Sequence, residues 1–442
     1  MQPSRYNVLV EHAGQTLVYN GVSGALLRLN PGEYERVLTV IGQQDLADVG
    51  TLASLLADLV RAGMLVPDEF DELDRLRRRY RASQRSTDEL GLTVVTSLGC
   101  NFDCPYCFED KKPSVLGPDV ATAIASYVRR RMSNLRRLGV HWYGGEPLLG
   151  KRSLLALSDM LISTCEAAGV DYGASIVTNG SLLDTTTCRE LADRLVRHAQ
   201  ITLDGPPHVH DVRRPTVAGR GTFEAVLNGI CNAVRYMDVS VRINVDEANY
   251  SYATDVLDIL AAEGLSGRLR VYVGQLIAVD DGAPAPSTRY SLGKCLTRPD
   301  FARVEQRFTF DASAHGFATQ SVPTSVATPC TAVRAHDLVV GSRGELYKCY
   351  ESVGNPTEVI GNIRDYSEPT GRAVKWLQYD PFADAECSSC FALPVCMGGC
   401  AHHAFDSRIY DNRCDTFRFN YRDRISDLAD HCQTITLTRR ST

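Results

Sequence analysis

The sequence predicts an α/β protein centred on a parallel sheet covered by helices. Three observations carry that prediction. Between residues 90 and 310, six short apolar runs alternate with helical stretches, as parallel strands joined by crossover helices do. A separate small α+β pattern occupies residues 1–68. Eight of the fifteen cysteines crowd the last quarter of the chain, where the alternation has stopped. The chain therefore divides into residues 1–68, a linker at 69–89, a core at 90–310 and a cysteine-rich region at 311–442.

Taken in order, residues 6–10 and 16–19 are expected as strands joined by a turn at Ala13-Gly14, with 25–29 as a third. Residues 31–41 form a helix with Pro31 in its first turn. Leu52, Leu55, Leu56 and Leu59 place an apolar stripe on a second helix, Gly63 caps it, and 64–66 returns as a strand. Residues 69–87, rich in Arg, Asp and Glu, are expected as a solvated helical linker. The core strands are 92–96, 140–143, 175–178, 201–204, 239–245 and 269–273. Helices are expected at 118–138, 154–168 and 223–236, and 278–288 reads as a connecting loop.

Composition excludes several classes. A net charge of −6 argues against a partner bound through its phosphates. No run of eighteen apolar residues is present, so no membrane span is expected. The first six residues lack a signal peptide's apolar core, which points to the cytoplasm and to thiols rather than disulfides. Cys165, Cys188 and Cys231 fall in helical segments and are expected as small core residues.

Cys100, Cys104 and Cys107 form a C-x3-C-x2-C loop after the first core strand, the strand end where α/β folds place ligands. Closely spaced thiolates hold iron–sulfur clusters, and three of them leave one iron of a four-iron cluster open. The alternatives are a zinc site or three buried thiols, but zinc favours paired C-x2–4-C spacing. Gly144-Gly145-Glu146-Pro147 follows the second strand: two glycines allow close backbone approach and the carboxylate suits an ammonium group. Further on stand Thr178-Asn179-Gly180, Thr202, Asp204 as a turn-forming carboxylate, His208 and His210 as loop hydrogen-bonders, and Arg214, whose guanidinium suits bidentate pairing. The last quarter carries Cys330, Cys349, then Cys387-x2-Cys390-x5-Cys396-x3-Cys400 and Cys414.

These motifs resemble those of radical S-adenosylmethionine (SAM) enzymes, in the peptide-maturase branch related to anaerobic sulfatase maturases. The resemblance covers residues 90–432. It implies a partial (β/α)6 TIM-like barrel in which Cys100, Cys104 and Cys107 hold a [4Fe–4S] cluster and SAM chelates the open iron. By the same resemblance Gly144, Gly145 and Glu146 hold the methionine amino group, Thr202 and Arg214 contact SAM, Tyr106 lies near adenine, and Asn179 lines the same mouth. The C-terminal pattern resembles the SPASM domain, which implies two auxiliary [4Fe–4S] clusters and three in all. Cys330, Cys349 and Cys400 would bind the first, and Cys387, Cys390, Cys396 and Cys414 the second. For the first, either Cys295 is the fourth ligand or an iron is open to substrate. Residues 1–68 resemble the winged-helix recognition element that binds leader peptides of ribosomal natural products, the leader adding as a strand.

The implied activity is that of an oxidoreductase: a 5′-deoxyadenosyl radical abstracts hydrogen from a ribosomal precursor peptide, and a C–C or thioether cross-link follows. The alternatives are oxidation of a protein Ser or Cys to formylglycine, epimerisation, or backbone excision. An external donor such as flavodoxin or ferredoxin would supply electrons. Sulfatase maturases carry an aspartate base directly after the cysteine equivalent to Cys349; here Tyr350 and then Glu351 follow, which weakens that alternative and makes both residues candidate bases.

Overall fold

The computed structural model describes residues 1–43, 49–277, 286–287, 294–319, 323–369 and 371–431. The loop expected at 278–288 lies outside them, apart from residues 286 and 287. Near the N-terminus, β1 (Gln2–Pro3) precedes an antiparallel sheet of β2 (Asn7–His12), β3 (Gln15–Asn20) and β4 (Leu26–Leu29). The β2–β3 turn has positive φ at both Ala13 (50°) and Gly14 (76°), the twist that a two-residue hairpin requires. Helices α1 (Glu33–Gln43) and α2 (Val49–Arg61) close over this sheet through Tyr34, Val37, Leu52 and Leu59, which pack on Val18 and Leu29. The returning strand, β5 (Leu65–Val66), does not extend the sheet. It pairs with β1 in a ribbon of its own, too short to leave a periodic signal.

The segment expected as a solvated linker is instead a docked helix, α3 (Glu72–Arg85). Asp71 caps it by accepting from the backbone N–H of Asp74 at 2.9 Å. Glu72, Leu76, Tyr80 and Gln84, spaced every fourth residue, are buried on one face. Leu76 and Tyr80 pack with Trp376, Phe382 and Leu393 of the cysteine-rich region. The many charges lie on the other face and mask this stripe in the composition.

Six parallel strands follow in consecutive spatial order: β6 (Glu89–Ser97), β7 (Arg137–Gly144), β8 (Asp171–Thr178), β9 (Val196–Thr202), β10 (Asp238–Val245) and β11 (Arg270–Gln275). Their outward residues, such as Leu92, Val94, Ile176, Ile201, Val241 and Ile243, join one large apolar core. That core is shared with α4 (Pro118–Arg129), α5 (Lys151–Ala168), α6 (Thr185–Asp193), α8 (Phe223–Ala233) and α9 (Asp255–Ala262), while the short α7 (Pro207–Arg213) lies at the strand ends. The helix expected to run to 138 stops at Arg129, because β7 needs residues 137–144 for its ladder to β6. The fourth strand lies earlier than 201–204, with an irregular register against β8 at its start.

The sheet does not end at β6. Strand β12 (Leu338–Val340) adds parallel to it, and β13 (Glu345–Tyr347) and β14 (Gly361–Asn362) follow antiparallel. The cysteine-rich region is thus stitched to the barrel through backbone hydrogen bonds. At the other edge α10 (Arg298–Ala314) packs on β11 and on α11 (Phe417–His431). No helix among the described residues is long and apolar enough to cross a membrane.

Candidate functional site

The inward residues of the six strands are mostly polar, and a cavity of about 390 Å³ opens among them at the strand ends. One end is lined by Cys100, Cys104 and Cys107. The cysteine loop is clamped to the glycine turn by backbone bonds: Gly145 donates to Ser97 O at 3.1 Å and Glu146 to Gly99 O at 2.9 Å. A Cβ at Gly145 would lie 2.7 Å from Gly99 O and 2.9 Å from Leu98 O. This glycine therefore serves close approach between two stretches of backbone, while it also faces the cavity.

Glu146 takes a different place from its two glycines. It is wholly buried and is absent from the cavity lining of described residues. Its carboxylate accepts from Leu148 N at 2.9 Å, Asn179 N at 2.7 Å and the Thr178 hydroxyl at 2.8 Å, so it ties the end of β7 to the end of β8. Asn179, positioned this way, lines the cavity and donates to Asn101 Oδ1 at 2.8 Å, within the cysteine loop.

Tyr106, Thr202 and Arg214 all line the same chamber. Arg214 Nη1 donates to the Tyr106 hydroxyl at 2.6 Å, and that hydroxyl donates to Asp204. Asp204 is not a turn-former. It is fully buried, accepts from Asn244 N at 2.8 Å, and lies 3.9 Å from Arg214 and 4.0 Å from Arg213. Arg213 pairs with Asp246 at 3.0 Å. His210 is also buried; burial, with Arg214 and Arg213 beside it, holds it well below the usual histidine range, and its Nδ1 faces the Asp204 N–H at 3.2 Å.

The opposite wall comes from two sources. Tyr350, Glu351 and His402 reach in from the cysteine-rich region, and Gln200, Arg242, Asn244 and Gln275 come from β9, β10 and β11. Tyr350 stacks at a tilt on Tyr143, ring centroids 5.6 Å apart. Burial pushes the Glu351 carboxyl up, but His403, His402 and Arg242 outweigh it and leave the group below its ordinary value. The Glu351 oxygen stands 3.7 Å from His403 and 3.8 Å from His402. Glu109, two residues after the thiol loop, is buried with one carboxyl oxygen unpartnered; burial, only partly offset by Tyr143 and Lys111, pushes it up to about 7.

The seven C-terminal cysteines fall into two groups by their mutual influence on acidity. Cys400 acts on Cys330, and both act on Cys349. Cys387, Cys390 and Cys396 each feel Cys414, and Arg418 donates to the Cys414 sulfur at 3.3 Å. Cys295 is half-buried and stands outside the cavity lining. Cys165 and Cys188 are core residues, and Cys231 is half-buried at the core's margin. Among the described residues no three His, Cys, Asp or Glu side chains converge on a single-ion site.

Three soft thiols around a chamber suit a cluster spread over several irons. Burial pushes Cys100 up to about 11 and Cys107 up to about 12, so ligation there releases protons. Arg214 keeps a buried Nε with no partner beside this chamber, a donor suited to a ligand's carboxylate. The residues present therefore fit a thiolate-held cluster with an anionic companion.

Fold and chamber together suit an enzyme whose thiols would hold a redox cofactor at the mouth of a partial barrel. Residues 94–258 match the model of the Radical SAM superfamily. The serine-type anaerobic sulfatase-maturating enzyme of Klebsiella aerogenes is 26% identical over 329 residues, spanning 69% of this chain and 77% of that enzyme. In shape the chain is similar to native anSMEcpe with bound AdoMet and Kp18Cys peptide, with a TM-score of 0.60 at 18% identity, covering 77% of this chain and 99% of that one. It is also similar to SuiB of Streptococcus suis bound to S-adenosylmethionine, with a TM-score of 0.52 at 15% identity over 94% and 99% of the two chains. The protein is an enzyme that carries a radical SAM domain, and that superfamily's cofactors are SAM and a [4Fe–4S] cluster.

The wall formed by Gln200, Arg242, Asn244 and Tyr143, together with Glu109, was missed from the sequence. A signal existed in β10: Ser240, Arg242 and Asn244 alternate with Val239, Val241, Ile243 and Val245, the period of a strand with one polar face.

Proposed function

We propose that this enzyme is a peptide maturase that installs a C–C or thioether cross-link in a ribosomal precursor peptide. One observation carries the reading: a single chamber runs from the three barrel thiols to Tyr350, Glu351 and His402 of the cysteine-rich region, so whatever fills it meets both. The sulfatase-maturating relative and the peptide held by anSMEcpe support a peptide substrate. Tyr350, standing where sulfatase maturases have their base, favours a cross-link over formylglycine.

Cys100, Cys104 and Cys107 are proposed to hold the [4Fe–4S] cluster, with Gly144, Gly145, Asn179, Thr202, Arg214 and Tyr106 around SAM, and Glu146 supporting that wall from behind. When bound, cluster and SAM supply a radical able to take hydrogen from an unactivated carbon. Arg214 orients a carboxylate, Tyr106 and Asp204 hold Arg214 in place, and Tyr350 with Tyr143 walls the chamber from water. Glu351, kept ionised by its histidines, accepts the proton that cross-linking releases; the Tyr350 phenol is the second candidate. Cys330, Cys349 and Cys400, with Cys295 or an open iron, and Cys387, Cys390, Cys396 and Cys414 are proposed to hold two auxiliary clusters, which would accept the one electron left over when cross-linking releases a hydrogen atom and a proton. Residues 1–68 are proposed to bind the leader as an added strand, and a flavodoxin or ferredoxin to deliver electrons.

The test is anaerobic reconstitution, then incubation with SAM, dithionite and a short peptide encoded beside the gene. A product lighter by two hydrogens, with a bridge located by fragmentation, is expected along with 5′-deoxyadenosine. A peptide of unchanged mass despite 5′-deoxyadenosine formation would remove the cross-link. A reconstituted protein that cleaves no SAM would remove the whole reading.

A further inference from the structure

The wall facing the thiols carries a cation that no carboxylate of the described residues pairs with directly; Glu351 and Asp204 interact with it only from beyond ion-pair distance. Arg242 projects from the middle of β10 into the chamber and remains partly accessible there. Its Nε donates to Asn244 Oδ1 at 2.8 Å. A Cβ at Gly274 of β11 would overlap Nε, Nη2 and Cζ, so the guanidinium occupies space that only a glycine leaves open. Tyr272, its register partner on β11, flanks it and donates to Gln200 on β9. Among the described residues no carboxylate stands within ion-pair distance of Arg242, although Arg213 and Arg214 nearby are both matched with aspartates. Holding a guanidinium away from bulk water without an anion is unfavourable, and its donor fork fits a carboxylate in two-point fashion. One guanidinium neutralises one negative charge, which suits a carboxylate rather than a phosphate carrying nearly two.

We infer that Arg242 is a carboxylate-recognition residue, and that the peptide entering the chamber presents an acidic group to it, from an Asp or Glu side chain or from a chain end. This rests on the peptide reading above.

The test uses full-length reconstituted enzyme with SAM and three probes: acetyl-Gly-Gly-Glu-Gly-Gly-amide, its Gln counterpart, and the Gln peptide with a free C-terminal carboxylate. Binding is read by calorimetry. The Glu peptide is expected to bind roughly tenfold or more tighter than the Gln amide. That preference should vanish in Arg242→Gln and in Gly274→Ala, which displaces the guanidinium, and survive in part in Arg242→Lys. SAM affinity should be the same in all of them. If the free-acid Gln peptide matches the Glu peptide, the carboxylate comes from a chain end and the inference stands. Equal binding of Glu and Gln amides, or no binding of either, overturns it, as does a parallel loss of SAM affinity in Arg242→Gln. The comparison in unaltered enzyme needs no variant to fold. Because it reads binding, it also separates from the function above: a carboxylate preference without SAM cleavage would sink the radical reading alone.

Discussion

Two arginines line the chamber and a third, Arg213, stands behind one of them, and the three are in two electrostatic states. Arg213 and Arg214, at the thiol end, have side chains only 5% and 9% exposed and are answered from within by Asp246, Asp204 and Tyr106. Arg242, across the chamber, lies on a glycine floor with an amide and a phenol for company. The first arrangement fixes a socket before any ligand arrives, because its charges are already compensated and cannot reorganise cheaply. The second leaves a charge to be satisfied by what enters. The same side chain is thus part of the scaffold on one wall and a point of recognition on the other.

The most severe way to break the fixed end is at the thiols. Cys104→Ala is expected to abolish 5′-deoxyadenosine formation entirely and to lower iron content by one cluster, while iron bound through the C-terminal cysteines persists. Unchanged iron and undiminished SAM cleavage would detach the loop from the chemistry. Next in size is the buried pair behind it. Arg213→Gln leaves Asp246 and Asp204 in a nearly water-free site with one cation fewer, a loss of about 3–5 kcal/mol. Denaturant unfolding followed by circular dichroism measures it, and a loss below about 1 kcal/mol, the range of an exposed pair, would show that water reaches these groups.

A third test reads the chamber's interior through pH. His141 lines it, with Nδ1 2.6 Å from the Ser175 hydroxyl. Burial, aided by His198, pushes it down to about 4. An unfolded chain binds that proton near pH 6.5, so the folded state gains full benefit above that value and loses stability as the pH falls from 6.5 towards 4. The loss is at most about 3 kcal/mol, since the chamber is not fully dry. His141→Gln should flatten the slope of stability against pH in that window. An unchanged slope would mean that the imidazole is solvated in the folded protein.

How much of this was legible follows from how each feature is written in the chain. The thiol loop and the glycine turn are local motifs, compressed into a few consecutive residues, and their chemistry survives without knowledge of the fold. Asp204 was misread because its partners Asn244, Arg213 and Tyr106 come from different segments, and only their convergence turns a turn carboxylate into a buried hub. Arg242 needed both the alternation within β10 and the register that brings Gly274 beneath it. Helix α3 shows the reverse error: its composition speaks for solvent, while Leu76 and Tyr80, four residues apart, speak for a partner. Where pattern and composition disagreed, pattern described the molecule.

The smallest expected effect sharpens the comparison most. Removing a charge from a matched pair strands its partner, but removing Arg242 breaks no ion pair among the described residues, and Glu351 keeps His402 and His403 beside it. The Arg242 Nε bond to Asn244 is lost, a net contribution of about 0.5–1.5 kcal/mol, and the unfavourable burial of an unanswered cation is relieved at the same time. The two oppose each other, so Arg242→Gln should change unfolding stability by no more than about 1 kcal/mol in either direction. Set beside Arg213→Gln in the same unfolding assay, it should differ by several-fold. Equal losses from the two substitutions would mean that Arg242 is a structural charge like its neighbours, held by an anion of the chain itself. It would then have no donor fork left for a peptide. A near-zero change, with carboxylate preference lost, is the signature of a residue kept for its ligand.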